Sequence, residues 1–402
     1  MKFPIHQQAK WIGLAGLVLC LWYGCAPMRA ARWREPDLND SSKFKYARLQ
    51  ANQSPFRFVP AVGQPRYAKM KKYLDSALQQ TNTNAFLVIK NDSIIYENFA
   101  ENVNYSTLHP SFSVAKSYIG TLIGMAIDKG IIASTNDLVI KYMPELEKND
   151  ARFRKLTIQH VLDMQSGFDF DEDSTSPFGS IAKLYYGNSL KNQVAHLKMK
   201  REPGQVFEYQ SINTQLLANL LARVSGEKIE SLMAKYLWQP LGAESDAIWS
   251  LDGRKTIKAF CCLNATATDF AKLGRLYLKK GNWEGKQIVS SHWVNGTVNP
   301  DSLGKRGYKN QWWACSKISY FKDSLSASQK LAKLNLKAPI KKMKNGTYYF
   351  QTKSNDYRAE GILGQIVYVN PDNNVIIVRL GNYPNKNLYF NGFIPAVGRE
   401  IN

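Results

Sequence analysis

The segment from Ser113 to Gly130 places the strongest constraint on how this chain of 402 residues can fold. It reads SVAKSYIGTLIGMAIDKG, and its apolar residues form a broad surface at helical spacing. A helix with so wide an apolar surface must be buried, and the glycine marks its C-terminal end. The chain is 44% hydrophobic, which is enough to build a large core around such a helix.

Patterns on either side of this helix predict an α/β protein. Residues 86–99 contain two apolar runs around Asn91-Asp92, which is typical of a β-hairpin. From Leu156 to about Leu241 the patterns are mostly helical. Two late strand patterns, GQIVYVNP and NVIIVRLGN, are joined by a turn from Pro371 to Asn374. We therefore expect one α/β sheet that adjoins an all-helical subdomain.

The N-terminal residues 1–25 are interpreted as an export signal. Two lysines precede an apolar run from Trp11 to Ala26 that is shorter than the ~20 residues of a membrane-spanning helix. An uncleaved signal anchor is the alternative. Gly24-Cys25 resembles the lipobox of bacterial lipoproteins, which makes Cys25 a candidate for lipidation. We expect an exported protein in the periplasm or anchored at the bacterial cell envelope, contacting the membrane only through its signal or lipid.

The remaining chain is divided by composition. Residues 26–60 are polar and without periodicity, and they are interpreted as an extension on the surface. Residues 61–402 are expected to form the main domain. Within it, a helical subdomain is expected at about 135–260 and a lysine-rich insertion at about 316–353.

The net charge of +21 predicts attraction to polyanions. Lysines recur throughout the insertion, but we find no nucleic-acid motif and no aromatic residues interleaved with them, so no nucleic-acid partner is expected. The insertion is therefore interpreted as a solvated, mobile surface segment. An acidic polymer of the cell envelope is the alternative partner for it.

Cysteines and histidines predict neither a disulfide framework nor a metal site. Beyond the signal, the chain has only Cys261, Cys262 and Cys315, an odd number with two adjacent. The histidines lack metal-ligand spacing, and no phosphate-binding glycine loop or G-x-S-x-G motif is present. We expect no metal and no cofactor. The four histidines considered are His109, His160, His196 and His292.

The spacing S-x-x-K at the start of the buried helix predicts a reactive serine. Ser113 and Lys116 lie on one helical face, near the positive potential of the helix N-terminus. A buried amine shifts towards its neutral form and can then accept a proton. The alternative is that Ser113 only caps the helix while Lys116 extends to solvent. The same spacing begins at six serines, Ser42, Ser113, Ser180, Ser225, Ser302 and Ser319, and only its context distinguishes Ser113.

Two further motifs follow in order, Tyr209-x-Ser211 within EPGQVFEYQSINTQLLANLL and Ala359-Glu360-Gly361 within YRAEGILGQIVYVNP. Because these two motifs follow S-x-x-K in the same order as in the serine β-lactamase and penicillin-recognising superfamily, the chain resembles that superfamily. It is most similar to the class C-like branch that includes esterases and nylon-oligomer (6-aminohexanoate-dimer) hydrolases. The likeness covers most of the chain from about Tyr67 onward. It implies an antiparallel sheet flanked by N- and C-terminal helices, with a helical subdomain.

The resemblance also implies roles for these residues. Ser113 is the expected nucleophile, and Lys116 and Tyr209 relay its proton. Ser211 is expected to support the proton network. The backbone N–H groups of Ser113 and of Ile362, the residue after Gly361, are expected to form the oxyanion hole.

The third motif departs from the K-T-G or H-x-G pattern of the superfamily. Ala359 occupies the place of a Lys or His that helps relatives to bind a substrate carboxylate. Arg358 and Glu360 are further substrate-binding candidates, although neighbouring strand residues face opposite ways. We therefore favour hydrolysis of an ester, amide or peptide in a small-molecule or peptide substrate over β-lactam hydrolysis. The alternatives are a D,D-peptidase of the penicillin-binding type and a catalytically weak envelope-binding protein of the same fold.

Overall fold

The computed structural model describes residues 26–79, 81–299, 307–383 and 389–401. The expected signal sequence and the candidate lipidation site Cys25 lie outside these ranges, so they stay predictions. Within the described ranges, no helix has both the length and the apolar composition that a membrane crossing requires.

The described residues form helices and strands that alternate along the chain. The helices are α1 Ala26–Trp33, α2 Ala68–Leu78, α3 Val114–Asp128, α4 Ile158–Leu162, α5 Ser180–Tyr186, α6 Leu190–Ala195, α7 Ser211–Ser225, α8 Ile229–Met233, α9 Ala267–Leu278, α10 Ser291–Val298, α11 Ser324–Lys333 and α12 Phe390–Glu400. The strands are β1 Tyr46–Leu49, β2 Val59–Pro60, β3 Thr83–Lys90, β4 Ser93–Phe99, β5 His109–Pro110, β6 Ala247–Ser250, β7 Leu263–Ala265, β8 Asn282–Trp283, β9 Lys286–Gln287, β10 Tyr308–Lys309, β11 Trp312–Phe321, β12 Lys341–Lys342, β13 Tyr348–Gly361, β14 Gln365–Asn370 and β15 Val375–Gly381.

The chain forms two compact units, and the first contains residues up to Asn52, Leu108–Gln239 and Ser245–Ala265. Its centre is α3, which is buried from Val114 to Ala126 and packs on α7 and α8. The prediction of a buried helix that ends near Gly130 is therefore confirmed.

The first unit also contains a four-stranded sheet in the order β1-β6-β7-β5. The N-terminal extension supplies β1, which pairs antiparallel with β6. Because β6 lies within the expected all-helical region at 135–260, that region is not purely helical. The strand was missed because its four residues carry too little periodicity to separate them from the adjoining loops.

The second unit contains Gln53–Thr107, Pro240–Glu244 and Thr266–Asn402, and its main element is a nine-stranded sheet. Eight strands follow the order β10-β11-β13-β14-β15-β3-β4-β2, and β12 pairs with β13. The predicted hairpin is confirmed as β3 and β4, and the two late strands are confirmed as β14 and β15.

Helices cover both faces of this sheet, as the fold prediction required. On one face, α9 approaches so closely that a Cβ on Gly274 would lie 3.0 Å from Ile376. On the other face, α2 and α12 bury the apolar side chains of β3, β14 and β15. The sheet is thus flanked by a helix from each end of the domain.

The lysine-rich insertion is folded in the structure. It contains α11, β12 and the outer halves of β11 and β13. Ala327, Leu331 and Phe350 form a small buried cluster of their own. The insertion, which we expected to be a solvated and mobile segment, therefore has defined elements and an apolar core.

Candidate active site

Ser113 and Lys116 meet at the N-terminus of α3. Lys116 Nζ donates a hydrogen bond to Ser113 Oγ at 2.8 Å, and the Lys116 side chain is only 1% exposed. Ser113 is the N-cap residue but makes no side-chain capping bond, and it is partly exposed. The alternative of a capping serine beside a solvent-facing lysine is therefore wrong for this pair.

The residue before the serine has an unusual backbone conformation. Phe112 has φ of 41° although it is not glycine, and its side chain is buried. Positive φ is costly for a bulky side chain and persists only where neighbouring contacts hold it. Ser111 supplies such contacts, because its N–H donates to Leu263 O at 2.6 Å and its Oγ donates to Phe112 O at 3.0 Å. The chain entering α3 is thus held on both sides of Phe112.

The Lys116 amine is held in a buried, polar setting. Its Nζ also donates to the backbone carbonyl of Phe260 at 2.9 Å. Burial lowers the pKa of Lys116 to about 8, because the charged form loses its hydration, while the carboxylate of Glu172 acts in the opposite direction. A substantial fraction of the amine is therefore neutral just above neutral pH.

Tyr209 lies on the other side of the amine. Its ring centroid is 5.1 Å from Lys116 Nζ, and the residue is partly exposed. The neighbouring Gln210 is buried and fixes this part of the backbone, because its Nε2 donates to Phe170 O at 2.7 Å and to Phe168 O at 3.2 Å. Ser113, Lys116 and Tyr209, the three residues proposed from the sequence, therefore lie close together within the first unit.

Glu172 is a further residue of this site that the sequence analysis did not identify. Its carboxylate accepts hydrogen bonds from the Ser211 N–H at 2.7 Å and from Ser211 Oγ at 2.5 Å. It thereby caps the positive N-terminal end of α7. Burial raises the pKa of Glu172, and the Lys116 charge opposes this shift. Glu172 therefore links Ser211 to the electrostatics of Lys116.

The segment from Lys258 to Cys262 contains the Phe260 carbonyl that accepts the hydrogen bond from Lys116. Trp249 Nε1 donates to Lys258 O at 3.0 Å and to Cys261 O at 2.7 Å, so the carbonyls around Phe260 are fixed. A disulfide joins Cys261 to Cys262, which the sequence analysis did not predict. Since its two cysteines are adjacent, it closes no long loop and is not a framework disulfide.

The third motif lies in the second unit, at the end of β13. Ala359 is buried, and Arg358 Nε donates to Glu360 Oε2 at 2.9 Å. Glu360 also accepts from Asn391 Nδ2 at 2.6 Å. Arg358 and Glu360 thus share a strand face and pair with each other, which weakens both as isolated charges for a substrate.

Ile362 follows this motif in a short turn, Ile362–Gly364, and is 44% exposed. The buried Arg379 holds this turn, because its Nη1 donates to Leu363 O at 2.7 Å and to Gly364 O at 3.0 Å. Gly364 has φ of 78° and leaves space for the guanidinium, since a Cβ would lie 2.6 Å from Arg379 Nη1. The joint oxyanion role of the Ser113 and Ile362 N–H groups stays a prediction.

His109 is the histidine nearest in sequence to Ser113. His109 is buried on β5, and burial lowers its pKa to about 4, so the ring is neutral near pH 7. Among the residues that the structure covers, no group of three or more His, Cys, Asp or Glu side chains could hold a metal ion.

A family model described as Beta-lactamase matches residues 70–391, which is most of the chain. The chain belongs to the beta-lactamase family. This assignment and the fold prediction made from the sequence are confirmed. The three motifs, each weak by itself, predicted the family because they occur in order and the likeness extends through the stretches that connect them.

Similar proteins of this family carry different names. The chain is 29% identical over 262 residues to a 6-aminohexanoate-dimer hydrolase of Paenarthrobacter ureafaciens, covering 60% of this chain and 66% of that protein. It is 26% identical over 252 residues to a Bacillus subtilis (strain 168) protein provisionally named penicillin-binding protein PbpX, covering 59% and 60%. The matches thus span less than two thirds of these relatives.

A solved structure from Bacillus anthracis, provisionally named a 6-aminohexanoate-dimer hydrolase, has the same fold. It superposes with a TM-score of 0.70 and 22% identity, covering 90% of this chain and 92% of the other. This likeness extends over the lengths of both chains and establishes the architecture of this beta-lactamase family member.

Proposed function

We propose that this beta-lactamase family member is a serine hydrolase that forms an acyl-enzyme on Ser113 and cleaves an ester, amide or peptide bond. One observation carries the proposal: the buried Lys116 amine lies 2.8 Å from Ser113 Oγ and has a pKa lowered to about 8. Such an amine is both close enough and basic enough to take the serine proton near neutral pH.

Acylation would proceed through the serine hydroxyl. The neutral Lys116 amine accepts the Ser113 proton while Oγ attacks the substrate carbonyl carbon. The developing oxyanion accepts a hydrogen bond from the Ser113 N–H, and one such donor typically contributes about 3 kcal/mol of barrier reduction. Tyr209 delivers a proton to the leaving group, and the ester formed with Ser113 remains.

Deacylation would use the same groups in reverse. Water replaces the leaving group, and Tyr209 takes its proton as the water attacks the acyl carbonyl. Lys116 gives the proton that it accepted during acylation back to Ser113 Oγ as the acyl group leaves as the free acid, so all three side chains regain their starting protonation. This assignment rests on the proximity of the Tyr209 ring to Lys116 Nζ, at 5.1 Å.

Glu172 would act as a positioning residue. Its carboxylate fixes Ser211 at the start of α7 and raises the pKa of Lys116 against the effect of burial. The amine is then balanced between a charged form, which holds the returning proton, and a neutral form, which accepts it.

The substrate class follows from the third motif. Ala359 offers no charge to a substrate carboxylate, and the Arg358 guanidinium is paired with Glu360. A β-lactam depends on such a carboxylate contact in the resembled superfamily, whereas a small ester or amide does not need one. We therefore favour substrates that need no carboxylate contact at this position. The name of the hydrolase relative, which acts on a 6-aminohexanoate dimer, is consistent with an amide substrate.

Intact-mass labelling with a fluorophosphonate tests the nucleophile. We expect one adduct on the wild type and none on Ser113→Ala. The matched control is Ser180→Ala, which removes the serine of a second S-x-x-K copy in the same unit and should label like the wild type. Labelling of Ser113→Ala would contradict the proposal.

Parallel incubation with a penicillin and with p-nitrophenyl acetate and butyrate separates the substrate classes. We expect ester turnover without a stable penicillin adduct. A stable penicillin adduct on Ser113 would instead support the D,D-peptidase alternative. Absence of any adduct or turnover would support a binding protein without catalysis.

A further inference from the structure

The lysine-rich insertion, residues 316–353 of the second unit, has one covered face and one open face. The core side chain Phe350 lies opposite Ser319 in the β11–β13 ladder and packs beneath α11 with Leu331. Strand side chains alternate between faces, so the neighbours of Ser319 and Phe350 along their strands lie on the opposite side. The helix of this cluster, α11, packs on the Phe350 side through Ala327 and Leu331.

This open face combines aromatic, aliphatic and basic groups, namely Ile318, Tyr320, Tyr349 and Lys341. Tyr320 pairs with Tyr349 in register, and their ring centroids are 6.3 Å apart. Lys341 pairs with Tyr349 from the other side and therefore projects from the same face. Tyr320 is 60% exposed and Ile318 is 43% exposed. The sequence showed no interleaved aromatics, but strand pairing brings the two tyrosines together beside the lysines.

The charge of the insertion is strongly positive. It contains nine lysines and a single acidic residue, Asp323. That carboxylate is engaged as the cap of α11, because it accepts the Ser326 N–H at 2.7 Å. The surface is therefore complementary to an anionic partner.

Large apolar side chains are exposed here far more often than elsewhere. Of the eighteen exposed large hydrophobic side chains in the described ranges, six lie in this segment, which spans 38 residues: Ile318, Tyr320, Leu325, Leu334, Leu336 and Met343. From Lys330 to Lys344 the sequence KLAKLNLKAPIKKMK mixes lysines with apolar residues along its length. A soluble polyanion would neutralise the lysines but leave these apolar side chains in water.

We propose that the insertion is a docking surface for a lipid bilayer that contains anionic headgroups. Lysines close to an anionic bilayer are attracted by its surface potential, and tyrosines and aliphatic side chains are stable at the boundary between headgroups and acyl chains. A bilayer with anionic headgroups accommodates both groups of residues. This contact is separate from the signal or lipid anchor expected at the N-terminus and independent of the proposed hydrolase chemistry.

Hydrogen exchange on the full-length protein localises the contact. We expect slower exchange in residues 316–353 with vesicles of phosphatidylcholine and phosphatidylglycerol, and unchanged exchange there with vesicles of phosphatidylcholine alone. Exchange in residues 316–353 is read separately from exchange in the N-terminal residues, so vesicle binding through the N-terminal apolar run does not by itself count as protection of the insertion. Unchanged exchange in 316–353 with both vesicles would overturn the proposal.

Inorganic polyphosphate serves as the soluble polyanion in the same experiment. At equal ionic strength we expect it to protect the insertion much less than the anionic vesicles do. A Tyr320→Ser variant should lose vesicle protection and keep whatever polyphosphate binding the wild type has. Equal protection by polyphosphate and vesicles, unaffected by Tyr320→Ser, would identify a polyanion site and overturn the membrane proposal.

Vesicle sedimentation measures the charge contribution with matched double variants. Each lysine near an anionic surface contributes about fivefold to binding, so Lys341→Gln with Lys344→Gln should weaken the phosphatidylglycerol-dependent part by at least tenfold. Lys69→Gln with Lys72→Gln, which removes two exposed lysines of α2, should change it less than twofold. Equal losses in the two pairs would refute a local docking surface. Unchanged thermal melting would confirm that each variant is folded.

Discussion

The first unit contains two S-x-x-K sequences at helix starts, and only one of them has a buried lysine. In α3, the Lys116 side chain is only 1% exposed. Its amine donates hydrogen bonds to Ser113 Oγ and to Phe260 O. In α5, Ser180 is the first helical residue and Lys183 is exposed to solvent. The spacing is the same, and each serine lies within one residue of its helix start. The difference shows that burial of the amine, and not the four-residue motif, creates a base near neutral pH.

Removing the two serines should give the largest contrast. Ser113→Ala is expected to reduce ester kcat/KM by about 10³-fold or more, because no acyl-enzyme can form. Ser180→Ala should stay within twofold of the wild type. Steady-state hydrolysis of p-nitrophenyl esters measures both. Equal losses in the two variants would remove the distinction between the helices.

Substitutions of Lys116 and Lys183 compare the buried amine of α3 with the exposed amine of α5. Lys116→Met is expected to lower kcat by about 10³-fold, because the proton acceptor is lost. Methionine keeps the length of the side chain but leaves the Phe260 carbonyl and the Glu172 carboxylate without the amine, so the Tm should fall. Lys183→Met should change neither quantity. A Lys116→Met protein with wild-type turnover would show that another group takes the serine proton.

Tyr209→Phe tests the third member of the buried site. Loss of the hydroxyl should lower kcat by about 10²-fold, a typical value for one acid–base group. Tyr236→Phe is the matched control, because a lysine amine, Lys129 Nζ, also lies 4.9 Å from that ring centroid in the same unit. Rapid-quench measurement of acyl-enzyme formation and decay would show which step slows. Unchanged kcat in Tyr209→Phe would exclude it from the relay.

Glu172→Gln should have the smallest effect on rate but a diagnostic effect on pH dependence. For the wild type, kcat/KM should rise with pH around a midpoint near 8, because the neutral amine is the active form and burial lowers the pKa of Lys116 to about 8. Without the Glu172 carboxylate the charged amine loses a stabilising partner, so its pKa falls and the midpoint moves to lower pH, by about one unit.

The control for this shift is Glu145→Gln, which breaks an exposed pair with Arg223 in the same unit and should leave the midpoint in place. Glu172→Asp should restore part of the wild-type profile. A purely structural role for Glu172 would reduce the rate without moving the midpoint, and a midpoint that moves to higher pH would contradict the electrostatic assignment.

Local patterns predicted the elements of the fold, and spacing predicted the first pair of the site. The hairpin β3–β4, the buried α3 and the strands β14 and β15 each depend on residues that are close in sequence. The contact between Ser113 and Lys116 follows from three-residue helical spacing. Tyr209 was proposed only through resemblance to a family, because no local rule relates it to residues almost a hundred positions earlier.

The contacts that were missed join distant segments or use backbone atoms. Glu172 lies 39 residues before Ser211, in an acidic loop with no periodic pattern. Phe260 takes part through its carbonyl, which every residue has, so its side chain gave no signal. The open face of the insertion depends on the register that sets Tyr320 against Tyr349, and register is decided by pairing across the sheet.

The Phe260 carbonyl has a consequence for the direction of proton transfer. A neutral amine has one lone pair and two N–H bonds, and a carbonyl oxygen can only accept. Once one N–H is committed to Phe260 O, rotation about the Cε–Nζ bond is restricted, and the lone pair can be turned towards the serine hydroxyl rather than away from it. The acceptor therefore orders the amine before substrate arrives, and less rotational entropy remains to be lost in the transition state.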